Sequence, residues 1–135
     1  WAITKMLELS YKMSDENFDK LISRAMDELP QEYITNMHNV AIVMADEPDA
    51  HQNEKLQLRG DQLLLGLFEG VPRTHQTGNE AALLPSKITL FKHAILMVPH
   101  DEASLFEQIK RTLWHEIAHY YGLNHDDMKS LQNGL

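Results

Sequence analysis

Phe18, Leu21, Ile22, Ala25, Met26 and Leu29 recur at three- and four-residue intervals, the spacing that lays apolar side chains along one stripe of an α-helix. Ser14 stands just ahead of the stripe, where its hydroxyl can cap the first turn. Asp15 and Glu16 follow it and suit the positive end of the helix dipole. Pro30 ends the pattern, and Gln31 to Met37 leaves room for one further short helical turn. Upstream the pattern is double. Leu7, Leu9, Tyr11 and Met13 alternate as in a strand, whereas Met6 and Leu7 together would suit a helix.

The pattern then changes period. Val40 to Met44 is a short apolar run rich in β-branched residues, bounded by Asn39 and by Asp46-Glu47-Pro48, and predicts a buried strand. Residues 48–62 are polar and read as a loop with space for one helical turn. A second strand is predicted over Leu64–Gly70, where Gly66 and Gly70 point to an edge position or a close backbone approach. Pro72, Gly78 and Pro85 punctuate residues 71–86 as a long exposed loop, a length often tied to function in a small domain. A third strand is predicted over Lys87–Lys92, with Ile88 and Leu90 on one face. His93 to Val98 suits a helical turn before Pro99. The longest helix starts at Asp101 and runs to about Tyr121, with Gly122 just past its end. No repeat or low-complexity tract interrupts this order. Three strands among helices predict an α+β domain: a small mixed sheet of about three strands with the last helix packed on one face.

Composition narrows the chemistry. The 135 residues fit one domain, and an apolar share of 43% is enough to build a core. The formal net charge of −8 argues against binding nucleic acid by electrostatics, so no nucleic-acid partner is expected. No cysteine is present, which removes disulfides and leaves His and carboxylates to hold any zinc. No apolar stretch is long enough to span a membrane and no signal peptide is recognisable, so a cytoplasmic location is expected.

The last predicted helix ends in His115-Glu116-Ile117-Ala118-His119 and continues through Gly122 to His125, a full match to H-E-x-x-H-x-x-G-x-x-H. Residues four apart share a helical face, so His115 and His119 can aim two imidazoles at one ion. Glu116 is turned about 100° from the first of them, beside the metal without binding it. There it can take a proton from a zinc-bound water, whose pKa falls to about 7. Gly122 lets the chain leave the helix sharply, so that His125 can return as a third ligand. Three protein ligands and a water make the catalytic zinc arrangement, whereas structural zinc is closed by four. From this composition the full pattern is expected by chance about 0.0001 times.

Leu105, Ile109, Leu113 and Ile117 mark the face of that helix that should meet the sheet. Glu116 falls within the same arc, and His115 and His119 lie along its border. Burying such groups is costly unless something satisfies them, and a bound cation does so. His38, His51, His75, His93 and His100 are read as surface residues, with His75 and His100 best placed to line a cleft. Tyr120 and Tyr121 are read as core or rim aromatics, with an oxyanion-stabilising role open to one of them. Asp126 and Asp127 are read as caps and as reserve metal ligands.

These residues resemble a minimal zincin family, the small bacterial zinicin-like metallopeptidases. The resemblance covers roughly residues 13–132. It is carried by the Phe18-to-Pro30 helix with its Asp27-Glu28-Leu29-Pro30 ending, by Asn39-Val40-Ala41-Ile42-Val43, by Leu64-Leu65-Gly66-Leu67-Phe68-Glu69-Gly70-Val71-Pro72, by Lys87-Ile88-Thr89-Leu90-Phe91 and by the His115 helix. It implies a zincin-like α+β domain over residues 13–135, with residues 1–12 as an N-terminal extension, a bound zinc ion and peptidase activity. Family members often carry an acidic residue where this chain has His125. The motif also matches the metzincin pattern, but Met128 follows His125 by only three residues, so no Met-turn is assigned. Gly122-Leu123-Asn124-His125-Asp126-Asp127 is similar to the bacterial endoribonucleases that mature ribosomal RNA through H-x-x-x-H-x-x-G-x-x-H. Those enzymes typically lack the Glu that stands here at position 116.

The expected function is therefore zinc-dependent peptide-bond hydrolysis, with His115, His119 and His125 as metal ligands, Glu116 as general base and a peptide or protein as substrate. The alternatives are a non-catalytic zinc-binding interaction module and a metal-dependent endoribonuclease. The strand Leu64–Gly70 is expected to border the cleft and to pair with an extended peptide.

Overall fold

The structure is a computed structural model that describes residues 13–59, 65–70, 85–97 and 101–123. Residues 1–12, most of the 71–86 loop, His75, His100, His125, Asp126 and Asp127 lie outside the described residues, and so do the expectations attached to them.

Helix α1 spans Asp15–Glu28, and its Ser14 cap accepts a hydrogen bond from the Asn17 N–H at 3.1 Å. The predicted stripe is the buried one: Phe18, Ile22 and Ala25 are sealed from solvent and Leu29 closes the row. At the other end the Gln31 side-chain amide shares its two protons among the carbonyls of Met26, Asp27 and Leu29, the first two of which the helix leaves orphaned. The short α2, Gln31–Thr35, follows. Strand β1 covers Val40–Ala45.

The segment expected as a polar loop after β1 is instead a helix, α3, over Ala50–Arg59. Its start explains the difference. The Asp49 carboxylate accepts from the Gln52 N–H at 2.8 Å, while the Gln52 side chain accepts from the Asp49 N–H at 3.0 Å. This reciprocal capping box satisfies two orphan donors at once and nucleates a helix that has no strong apolar stripe.

Strand β2, Gly66–Glu69, is shorter at both ends than expected. Strand β3, Ser86–Phe91, begins one residue early, and Lys92 opens the short helix α4, Lys92–Leu96. Helix α5 spans Glu102–Tyr121 between an Asp101 cap that accepts from the Ser104 N–H at 2.7 Å and a left-handed Gly122 at φ 70°. The Gly122 and Leu123 N–H groups fold back onto carbonyls of the last turn, the usual device for ending a helix sharply.

The sheet has the order β1-β3-β2, with β1 parallel and β2 antiparallel to β3. One face carries Ile88 and Leu90; α5 packs on it and α1 packs on α5, and together they bury Phe18, Ile22, Leu105, Ile109, Leu113, Trp114 and Ile117. The opposite face carries a smaller cluster of Leu67 and Phe91, flanked by Ala45 and Ala94. The mixed three-stranded sheet with the long helix on one face is the α+β arrangement expected from the sequence. Among the described residues no helix is long and apolar enough to cross a membrane.

Candidate active site

The four residues Leu105, Ile109, Leu113 and Ile117 anchor α5 to the sheet with no exposure to solvent. The helical repeat then fixes what the end of α5 presents. Glu116 shares the buried arc and is only 3% exposed, whereas His115 and His119 fall on its margin and are half-buried. The two imidazole rings stand 4.5 Å apart between centroids. One ligand atom from each of His115, Glu116 and His119 lies within 4.8 Å of the others. Nitrogen and carboxylate donors gathered this closely are of the type zinc accepts in a cysteine-free chain.

A carboxylate buried this deeply must have partners. Glu116 Oε1 accepts the Phe68 backbone N–H at 3.0 Å and lies 3.2 Å from His119 Nδ1. The Phe68 donor is available because of the register of β2. Phe91 donates its N–H to the Leu65 carbonyl across the β2–β3 pair, and antiparallel bonding alternates along the strand. Leu67 and Glu69 therefore turn their backbone toward β3, while Gly66 and Phe68 turn theirs outward, toward the end of α5. The sheet edge and the helix thus meet at the Glu116 carboxylate.

Gly66 sets how closely they meet. A Cβ at this position would stand 2.9 Å from Thr112 Cγ2 on α5 and 3.2 Å from both Leu90 Cδ2 and the Thr89 carbonyl. Thr112 is itself fixed, since its Oγ1 donates to the Gln108 carbonyl at 2.7 Å and accepts the Gln108 amide. Gly66→Ala should therefore push β2 away from α5 and lower stability by about 1–3 kcal/mol. Adding Thr112→Ser, which deletes the obstructing methyl and keeps the hydroxyl, should recover part of that loss in a double-mutant cycle of denaturant melts. Purely additive effects would show that the two residues do not press on each other.

The remaining sequence candidates separate cleanly. His38, His51 and His93 are exposed, and His93 reaches Glu47 at 3.4 Å, away from the cluster. Tyr120 is buried and its hydroxyl accepts the His38 N–H at 3.3 Å, while the Tyr121 hydroxyl donates to the Tyr33 carbonyl. Both phenols thus tie α5 to the segment around α2. The Phe68 N–H escapes a reading of the sequence, because a backbone donor carries no residue signature. The nearest signal is the pair of glycines that marks β2 as a strand of close approach.

A family model described as zincin-like metallopeptidase matches residues 37–135, nearly three-quarters of the chain and the whole of the site. The chain belongs to the zincin-like metallopeptidase family. No curated protein matches it. Among solved structures, a conserved hypothetical protein from T. thermophilus is similar in fold, with a TM-score of 0.51 and 19% identity over 90% of this chain and 100% of the other. Within this zincin-like frame, the His115–Glu116–His119 cluster occupies the last two turns of the long helix, against the sheet's antiparallel edge.

Proposed function

We propose that this chain is a zinc-dependent peptidase. The observation that carries the reading is the Glu116 carboxylate, buried beside two imidazoles and tethered by an outward-facing N–H of the edge strand. A carboxylate kept from solvent at such a junction is positioned to handle a proton in the reaction rather than to solvate a helix end.

His115 and His119 would hold the zinc, with His125 from the segment after Gly122 as the third ligand. When bound, the ion supplies Lewis-acid polarisation and makes a water proton acidic near neutral pH. The rest falls to the chain. Glu116 accepts the proton of the attacking water and delivers it to the departing amine, so that one carboxylate serves as base and then as acid. The Phe68 N–H fixes Oε1 in place, which limits the motion of the carboxylate between those two roles. The outward-facing backbone of Gly66 and the Phe68 carbonyl offer strand-type partners to an extended peptide, holding its backbone across the end of α5. A peptide or protein is thus the proposed substrate.

Zinc analysis of the purified chain followed by a peptide-library cleavage screen tests the reading. About one equivalent of zinc is expected, with cleavage that stops on chelation and returns when zinc is restored. Stoichiometric zinc with no cleavage of any library peptide would favour the non-catalytic binding module.

A further inference from the structure

We propose that Arg111 selects the substrate of this site by binding an acidic side chain of the extended peptide, on the Gly66 side of the scissile bond. This rests on the peptidase reading above and adds a substrate class to it.

Two contacts fix how β2 lies along α5. Gly66 backs onto Thr112, and the Phe68 N–H reaches Glu116. Two strand residues advance about 6.6 Å and four helical residues about 6 Å, so β2 and α5 run in the same sense through this stretch. A peptide paired with the outer edge of β2 therefore follows α5 from the level of Thr112 to that of Glu116. Its residue opposite Gly66 sits two positions from the one opposite Phe68 and projects its side chain to the same face as Gly66, which is the face covered by α5.

The residues that α5 offers there are set by its period. Arg111 precedes His115 by four positions, so the two fall within about 40° of each other around the helix, with Arg111 about 6 Å nearer its start. Side chains on a helix lean toward its N-terminus, which carries the guanidinium away from the metal site and past Thr112, so that it stays on the Gly66 side. Arg111 is exposed.

Among the described residues its charge stands without a carboxylate contact in an acidic chain. The sequence holds 20 acidic and 12 basic residues, so carboxylates are in excess. Arg24, Lys87, Lys92 and Lys110 each contact one, on Glu28, Glu69, Asp15 and Glu28 respectively. Lys20 on α1 and Arg111 on α5 contact none among the described residues, and of these two only Arg111 lies on the helix that carries the histidines. A planar, permanently charged fork beside the path of the peptide is suited to a carboxylate brought by the substrate.

The test uses fluorescein-labelled octapeptides with blocked termini, in which a single Glu, Gln or Lys is moved through the positions. Binding is measured by anisotropy to the full-length, zinc-loaded Glu116→Gln protein, and again to metal-stripped wild-type protein in case that variant folds poorly. Glu is expected to bind about fivefold more tightly than Gln at a favoured position. Arg111→Lys should keep the preference, Arg111→Ala should abolish it, and Arg111→Glu should reverse it toward Lys. If no position favours Glu, or if the preference survives in Arg111→Glu, the inference is overturned. Cleavage of the same peptides by zinc-loaded wild-type protein is scored separately. A charge preference that follows Arg111 without any cleavage supports the arginine subsite and rejects the peptidase, whereas cleavage indifferent to residue 111 does the opposite.

Discussion

Glu116→Gln is expected to lower the rate of peptide hydrolysis by about 10²–10⁴-fold while leaving the zinc content of the protein unchanged. The substitution preserves the size of the side chain and keeps an amide oxygen where Oε1 now accepts the Phe68 N–H at 3.0 Å. It removes the negative charge and with it the capacity to take up a proton. Glu116→Ala is a poorer probe, because it would strand the Phe68 donor in a buried site at a cost of about 1–3 kcal/mol. The measurement is kcat on a peptide found in the library screen, with bound zinc determined on the same samples. Full activity in Glu116→Gln would mean that the carboxylate moves no proton in the slow step. Loss of zinc with loss of activity would instead mean that Glu116 helps hold the ion, as its place within 4.8 Å of both imidazoles permits.

How much of this arrangement is legible in the sequence depends on how local its cause is. Helix α5 is readable from end to end, because its cap, its apolar stripe and its left-handed terminal glycine act within a few residues of one another. His115, Glu116 and His119 come with it, since their relative placement follows from helical period alone. Helix α3 also has a local cause, the Asp49–Gln52 capping box, yet its polar composition makes it resemble a loop. The sheet is a different case. That β3 lies between β1 and β2, and that β2 runs antiparallel at the edge, is decided by contacts far apart in the chain. No periodicity within β2 reveals which of its N–H groups turn outward. The Phe68 donor, and with it the tether on Glu116, therefore becomes visible only once the strands are paired.

The same helix makes a strong prediction about stability. Trp114 is 1% exposed and packs edge-on against Tyr33, with ring centroids 5.4 Å apart. Tyr33 in turn meets Tyr121 edge-on at 5.1 Å, so the aromatic cluster clamps the end of α5 to the segment around α2 on the side away from the histidines. Trp114→Ala should cost about 3–5 kcal/mol, from lost burial and from a cavity that α5, held by its neighbours, cannot close. For a chain of this length that corresponds to a fall of about 10–15 °C in Tm. Trp114→Phe should be far milder, within about 1.5 kcal/mol. It keeps an aromatic edge against Tyr33 and removes a buried indole N–H that has no hydrogen-bond partner among the described residues. Because His115 is the next residue, the two variants also separate packing from metal binding. Trp114→Ala should weaken zinc affinity along with stability, since the end of α5 that carries both imidazoles loses its support, whereas Trp114→Phe should leave zinc affinity near that of the parent. Thermal melts and zinc titrations on the two variants decide the matter. A Trp114→Ala protein that melts within a degree or two of the parent would show that the aromatic cluster does not hold the helix, and that the geometry of the site is set by the sheet contacts alone.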